Sequence, residues 1–118
     1  MGADEMKASG VTGIADYLTD PALLNSIVGL GFRSVLFLET IGFQEERAEV
    51  IAEEVEAILK IHASNCNLGI APHAPYSVSA KLWQRLDQLG KKYGCLLSTH
   101  LAETDEEVQF VEKGGGPL

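Results

Sequence analysis

Residues 33–39, RSVLFLE, form a short and nearly unbroken apolar run, and a stretch with helical periodicity follows over 43–62. A strand that is apolar on both faces must be covered on both, which is the condition of a strand inside a parallel sheet. Parallel neighbours cannot be joined by a tight hairpin, so the chain must cross over, usually through a helix. In the 43–62 stretch Val50, Ile51, Val55, Ile58 and Ile61 recur at three- and four-residue steps. Glu45, Glu46, Glu49, Glu53 and Glu56 occupy the other sides, with Lys60 one turn after Glu56. That acidic run is a solvated face.

The same strand-then-helix unit recurs along the chain. Residues 10–18 read as a strand, and Asp20 as N-cap with Pro21 behind it opens a helix to about Val28, stopped by Gly29 and Gly31. Residues 67–72 form a third strand. Ser79 then caps a helix with Leu82, Trp83, Leu86 and Leu89 on one face, ending near Gly94. Residues 95–100 form a fourth strand. Thr104 at N-cap and Glu107 at N3 make a capping box that opens a last helix to about Lys113. Residues 1–9 read as the tail of a preceding helix. The order is α-(βα)4, an α/β fold with right-handed crossovers. It fits either an open doubly wound sheet or about half of a (β/α)8 barrel, whose full length is ~250 residues.

At 118 residues the chain is at most one domain, and its formal charge of −8 argues against nucleic acid or an anionic membrane as partners. No apolar run approaches the ~20 residues that span a bilayer, and residues 1–6 lack the features of a secretory signal. Cys66 and Cys95 are too few for a disulfide framework and read as reduced packing residues. The cytoplasm is the expected compartment. Neither GxGxxG nor GxxxxGK[ST] occurs, so there is no phosphate-cradling loop of those kinds.

In parallel α/β folds chemistry gathers at the C-terminal ends of strands. Those ends here hold Asp16, Glu39-Thr40, the segment 71–77 (APHAPYS) and the segment 98–103 (STHLAE). If Leu68 and Ile70 face the helices, strand alternation turns His73 to the opposite side, and the same rule puts Leu96, Ser98 and His100 there. Both imidazoles then look into one space. His100 is a candidate ligand for Zn²⁺ or Fe²⁺. Glu103 could take a proton from a metal-activated water, or it could simply favour the dipole of the last helix. His73, stiffened by Pro72 and Pro75, suits substrate orientation or a plain turn hydrogen bond. His62 closes the long helix, where an imidazole favours the helix dipole. Parity does not decide the direction of Asp16 or Glu39, because the strands around them are apolar on both faces. Trp83 and Tyr93 read as core.

APHAPYSVS at 71–79, followed by STHLAETDEEV at 98–108, resembles the metal-dependent amidohydrolase superfamily, chlorohydrolase/deaminase branch. That branch includes S-adenosylhomocysteine/methylthioadenosine deaminases, aminodeoxyfutalosine deaminases and triazine hydrolases. EMKASGVTGIAD at 5–16 and GFRSVLFLETIGF at 31–43 resemble its second and third strands with their approaches. The resemblance implies a partial TIM-type barrel, strands two to five of a longer parent, with 1–118 as a fragment of the barrel domain. It implies that His100 is a metal ligand, Glu103 the proton shuttle and His73 a substrate contact. The implied reaction is hydrolytic deamination, or dechlorination, of an N-heteroaromatic small molecule such as an adenine nucleoside derivative. The family's HxH pair, its later histidine and its aspartate have no counterpart, since the chain has three histidines and no HxH. On that basis the isolated chain is expected to be inactive, to bind neither Zn²⁺ nor Fe²⁺ stably, and to self-associate through open sheet edges. The competing expectation is a receiver-like doubly wound signalling domain. It would need a carboxylate cluster near Asp16 and a lysine where His100 stands.

Overall fold

The computed structural model of the chain describes residues 2–62 and 67–115. Helix α1 (Gly2–Ala8) leads into strand β1 (Gly13–Leu18), then a 3₁₀ turn (Pro21–Leu23) and helix α2 (Leu24–Val28). Strand β2 (Arg33–Thr40) precedes a second 3₁₀ turn (Glu45–Arg47) and helix α3 (Ala48–His62). Strand β3 (Asn67–Pro72), helix α4 (Ala80–Tyr93) and helix α5 (Asp105–Lys113) complete the order. The strands form one parallel sheet in the order β1-β2-β3. Tyr17 pairs with Phe37 and Phe37 with Gly69, and at the C-terminal ends Thr40 pairs with Pro72.

The expected fourth strand is reduced to one parallel bridge, Ile70 to Leu97. Ile70 N–H donates to Leu96 O (2.9 Å) and Ser98 N–H to Ile70 O (3.1 Å), so 95–100 runs beside β3 as a strand would. No described strand lies on its far side. The first strand is also shorter than its apolar run. Gly10, with φ +87°, and Val11, whose N–H donates to Met6 O (3.0 Å), close the end of α1 instead. The long helix begins with a tight 3₁₀ turn, because Gln44 offers no side-chain cap.

Leu36 and Leu38 of β2 and Leu68 and Ile70 of β3 form one buried cluster with Ala52, Val55 and Leu59 of α3 and Leu82, Leu86 and Leu89 of α4. Helix α4 is set by the cues visible in its sequence. Ser79 Oγ accepts from Leu82 N–H (3.2 Å), and Gly94 takes the left-handed conformation that ends the helix. Gly90 lets the next segment close in, because a Cβ there would collide with Leu97 Cδ1. Trp83 and Tyr93 pack partly buried against the core, as their apolar setting implied. The α3–α4 pair is also tied by ions. Glu56 accepts from Lys92 Nζ (2.6 Å) and Tyr93 Oη (2.9 Å), and Glu49 accepts from Arg85 Nε (2.8 Å). The Lys92 ammonium, then the Tyr93 hydroxyl, hold the Glu56 carboxyl down to about 2. Cys95 is a free thiol packed against the core, and burial raises its pKa. Cys66 lies outside the described residues. Among the described residues no helix is long and apolar enough to cross a membrane.

Candidate active site at the strand ends

With the leucines and Ile70 turned to the helices, alternation leaves the other sheet face to Tyr17, Phe37 and Gly69. Tyr17 stacks on Phe37 (ring centroids 5.7 Å apart) and also on the His100 ring (4.8 Å). Its hydroxyl shares a hydrogen bond with Ser98 Oγ (2.5 Å). A ladder of backbone bonds continues past the formal strand ends. His73 N–H donates to Thr40 O (3.0 Å), and His100 N–H donates to His73 O (2.9 Å). The Thr99 hydroxyl adds a bond to the same His73 carbonyl (3.0 Å).

His73 and His100 point into one space, as alternation required, with their rings edge to face and centroids 5.4 Å apart. The His73 tautomer follows from its neighbour. Ser77 Oγ–H donates to Ala74 O (3.2 Å), so its oxygen accepts from His73 Nδ1–H (2.7 Å). That leaves the lone pair on His73 Nε2, free to face a substrate or an ion.

A third group joins them that parity could not place. One ligand atom each from Glu39, His73 and His100 lies within 4.8 Å of the others, and all three residues are half-buried. Glu39 Oε2 accepts from Thr19 Oγ1 (2.7 Å), which orients the carboxylate. Two imidazoles and one carboxylate suit Zn²⁺ or Fe²⁺ better than Mg²⁺ or Ca²⁺, which prefer oxygen ligands. Glu39 and His73 thus stand beside His100, the residue the sequence put forward as metal ligand. Register could have found Glu39, since its partner in β3 is Ala71, two residues before His73.

Asp16 does not join the group. It is exposed on the same sheet face as Leu36 and Leu68, and its Oδ1 accepts from Tyr17 N–H (3.0 Å). His62 is the last residue of α3, away from the strand ends.

Glu103 follows Ala102, which has φ +57°. That left-handed turn costs a non-glycine residue about 1 kcal/mol or more, and such positions cluster where function fixes the backbone. The Glu103 side chain is exposed, and its N–H donates to Glu107 Oε2 (2.9 Å). The capping box is therefore shifted. Thr104 Oγ1 accepts from Glu107 N–H (3.2 Å) as expected, but the glutamate reaches back to residue 103 rather than to Thr104 itself. Glu107 is buried, and its Oε1 has no partner among the described residues.

Comparisons with known proteins agree on one lineage. The model of the amidohydrolase family matches residues 2–117. A 5′-deoxyadenosine deaminase of Methanococcus aeolicus is 35% identical over 119 residues, covering 96% of this chain and 28% of that protein. An aminodeoxyfutalosine deaminase of Deinococcus radiodurans is 28% identical, covering 99% of this chain and 29% of the relative. A 5-methylthioadenosine/S-adenosylhomocysteine deaminase of Desulfitobacterium hafniense is 28% identical, covering 95% and 27%. Among solved structures, the aminofutalosine deaminase of Helicobacter pylori, in complex with methylthio-coformycin, superposes with a TM-score of 0.81 at 29% identity over 98% of this chain and 29% of that one. The chain spans less than a third of the length of the curated relatives named here.

Proposed function

The chain belongs to the amidohydrolase family, and on that premise we propose that residues 1–118 are part of the barrel domain of a metal-dependent deaminase of adenosine derivatives, contributing strands two to five. The family match favours this reading over a receiver-like signalling domain. The observation that carries it is the convergence of His73 and His100 from neighbouring strand ends, ring centroids 5.4 Å apart, in a chain whose relatives are deaminases.

In this reading water replaces the exocyclic amine of the purine ring. The water oxygen bonds to the ring carbon, the carbon–nitrogen bond breaks, and the amine leaves as ammonia. A divalent metal, Zn²⁺ or Fe²⁺, supplies water activation when bound. His100 holds it, with the Tyr17 stack fixing the plane of the imidazole. Glu103 takes the proton of the attacking water and hands it to the departing nitrogen. The Glu107 carboxylate, bonded to the Glu103 backbone, fixes where that side chain starts. His73 faces the substrate with Nε2, the nitrogen that its bond to Ser77 leaves as an acceptor. The substrate is a small nucleoside, and the compartment is the cytoplasm. The chain taken alone self-associates through its open sheet edges.

The test is ammonia release from 5′-deoxyadenosine, methylthioadenosine, S-adenosylhomocysteine and aminodeoxyfutalosine by the protein that carries this segment. Glu103→Gln is expected to lower turnover by about 10²–10⁴-fold while metal content stays constant. Unchanged turnover in that variant would remove Glu103 from the mechanism. Inertness toward all four nucleosides would remove the deaminase reading.

A further inference from the structure

The His100 imidazole lacks the usual kind of anchor. Among the described residues its ring meets two other rings and no hydrogen-bond partner. A ligating histidine ordinarily gives its second nitrogen to a carboxylate, carbonyl or water that fixes the ring. We propose that Tyr17 is a positioning residue for His100, its ring face and its hydroxyl bond to Ser98 together standing in for that hydrogen bond. The proposal rests on the functional reading above in taking His100 as the metal-facing histidine.

An imidazole turns about a bond between sp³ and sp² carbons, a torsion with broad preferences. Left to itself the ring plane is poorly defined, and with it the direction of the lone pair offered to an ion. The Tyr17 ring lies within 22° of that plane, with centroids 4.8 Å apart. Tyr17 is itself held twice. Phe37 stacks on it from β2 (5.7 Å), and its hydroxyl shares a hydrogen bond with Ser98 Oγ (2.5 Å). Ser98 stands two residues before His100, on the same face of the segment. Sequence and register build this reach. Tyr17 pairs with Phe37 and Phe37 with Gly69, so the three share the inner sheet face. At Gly69 that face carries no side chain, and a Cβ there would stand 2.5 Å from Phe37 Cε1. The side chain from β1 therefore reaches past β2 and β3 to the segment beyond them. Its anchor and the ring it orients lie on one stretch of backbone, so a displacement of that stretch carries both.

The experiment uses the protein that carries this segment and reads two quantities. One is the nuclear Overhauser contact between the rings of residues 17 and 100 without metal. The other is Zn²⁺ affinity, by competition with a chelator. Tyr17→Leu is expected to abolish the contact and weaken Zn²⁺ binding by about tenfold or more. Tyr17→Phe keeps the stack and loses the tether, so it should keep the contact and lose less affinity. Ser98→Ala should match it, and the double variant should lose no more than either, since both remove one bond. Val55→Ala damages the core away from the strand ends and should leave contact and affinity unchanged. Parent-like affinity in Tyr17→Leu would overturn the proposal, as would an equal loss in Val55→Ala or no ring contact in the parent. Should Tyr17→Leu not fold, the Phe and Ala variants decide, and parent-like affinity in both would overturn the proposal. If no nucleoside is deaminated while affinity follows Tyr17, the deaminase reading falls and this inference stands. If Tyr17→Leu binds Zn²⁺ and deaminates like the parent, only this inference falls.

Discussion

Gly69→Ala tests whether the aromatic stack on the inner sheet face couples the core to the site. A Cβ at residue 69 would sit 2.5 Å from Phe37 Cε1 and 3.0 Å from Leu96 O. The ring must move by about an ångström to reach ordinary contact, and Phe37 is itself buried. Overpacking of this kind costs about 1–3 kcal/mol. Replacing a strand glycine by alanine returns about 0.5–1 kcal/mol of backbone entropy. The net loss is about 1–2 kcal/mol, which for a urea slope near 1 kcal/mol/M lowers the midpoint by about 1–2 M. The added Cβ presses on two groups that matter, the Phe37 ring and Leu96 O. Phe37 stacks on Tyr17 and Tyr17 on His100, while Leu96 O is the acceptor that ties 95–100 to β3. The substitution should therefore shift the His100 imidazole resonances as well as the midpoint. Phe37→Leu in the same chain should recover part of the loss, as a double-mutant cycle would measure. An alanine variant as stable as the parent, or a cycle with no coupling energy, would refute the reasoning.

Two further perturbations probe the carboxylates. Glu56 has a carboxyl held at about 2, below the ordinary ~4.3 of a free glutamate. Its contribution to stability is present above about pH 4.5 and is lost as pH falls through about 2. The urea-midpoint difference between the parent and Glu56→Gln should shrink over that interval, and a pH-independent difference would contradict it. Glu107→Gln keeps an oxygen for the Glu103 N–H and nearly the same volume in the buried site, so it should be about as stable as the parent. Glu107→Leu strands that N–H and should lose about 1–3 kcal/mol in the same urea titration. A glutamine variant clearly weaker than the parent would mean that the buried carboxylate is compensated.

Legibility in the sequence followed the strength of local rules. The segment 67–72 reads as a strand and is one, and Ser79 and Gly94 bound α4 where capping chemistry puts them. Period-two alternation also sufficed to bring His73 and His100 to one side. It failed for Glu39, because RSVLFLE is apolar at nearly every position and carries no face signal. Only the register of β2 on β3 resolves that residue. It failed again at 95–100, whose strand-like composition is real but whose pairing depends on a neighbour that local sequence cannot supply. The apolar pattern also runs past the start of the first strand, since Gly10 and Val11 belong to the end of α1.

The backbone bonds that join Thr40, His73 and His100 make the sheet a ruler. Adjacent strands repeat every ~4.8 Å, and that pitch is dictated by peptide geometry, whatever side chains surround it. Spacing among the strand ends that carry Glu39, His73 and His100 is thereby insulated from drift in the connecting loops. Descendants of such a scaffold can exchange loops, and with them the molecules they admit, while the same small constellation stays in calibration.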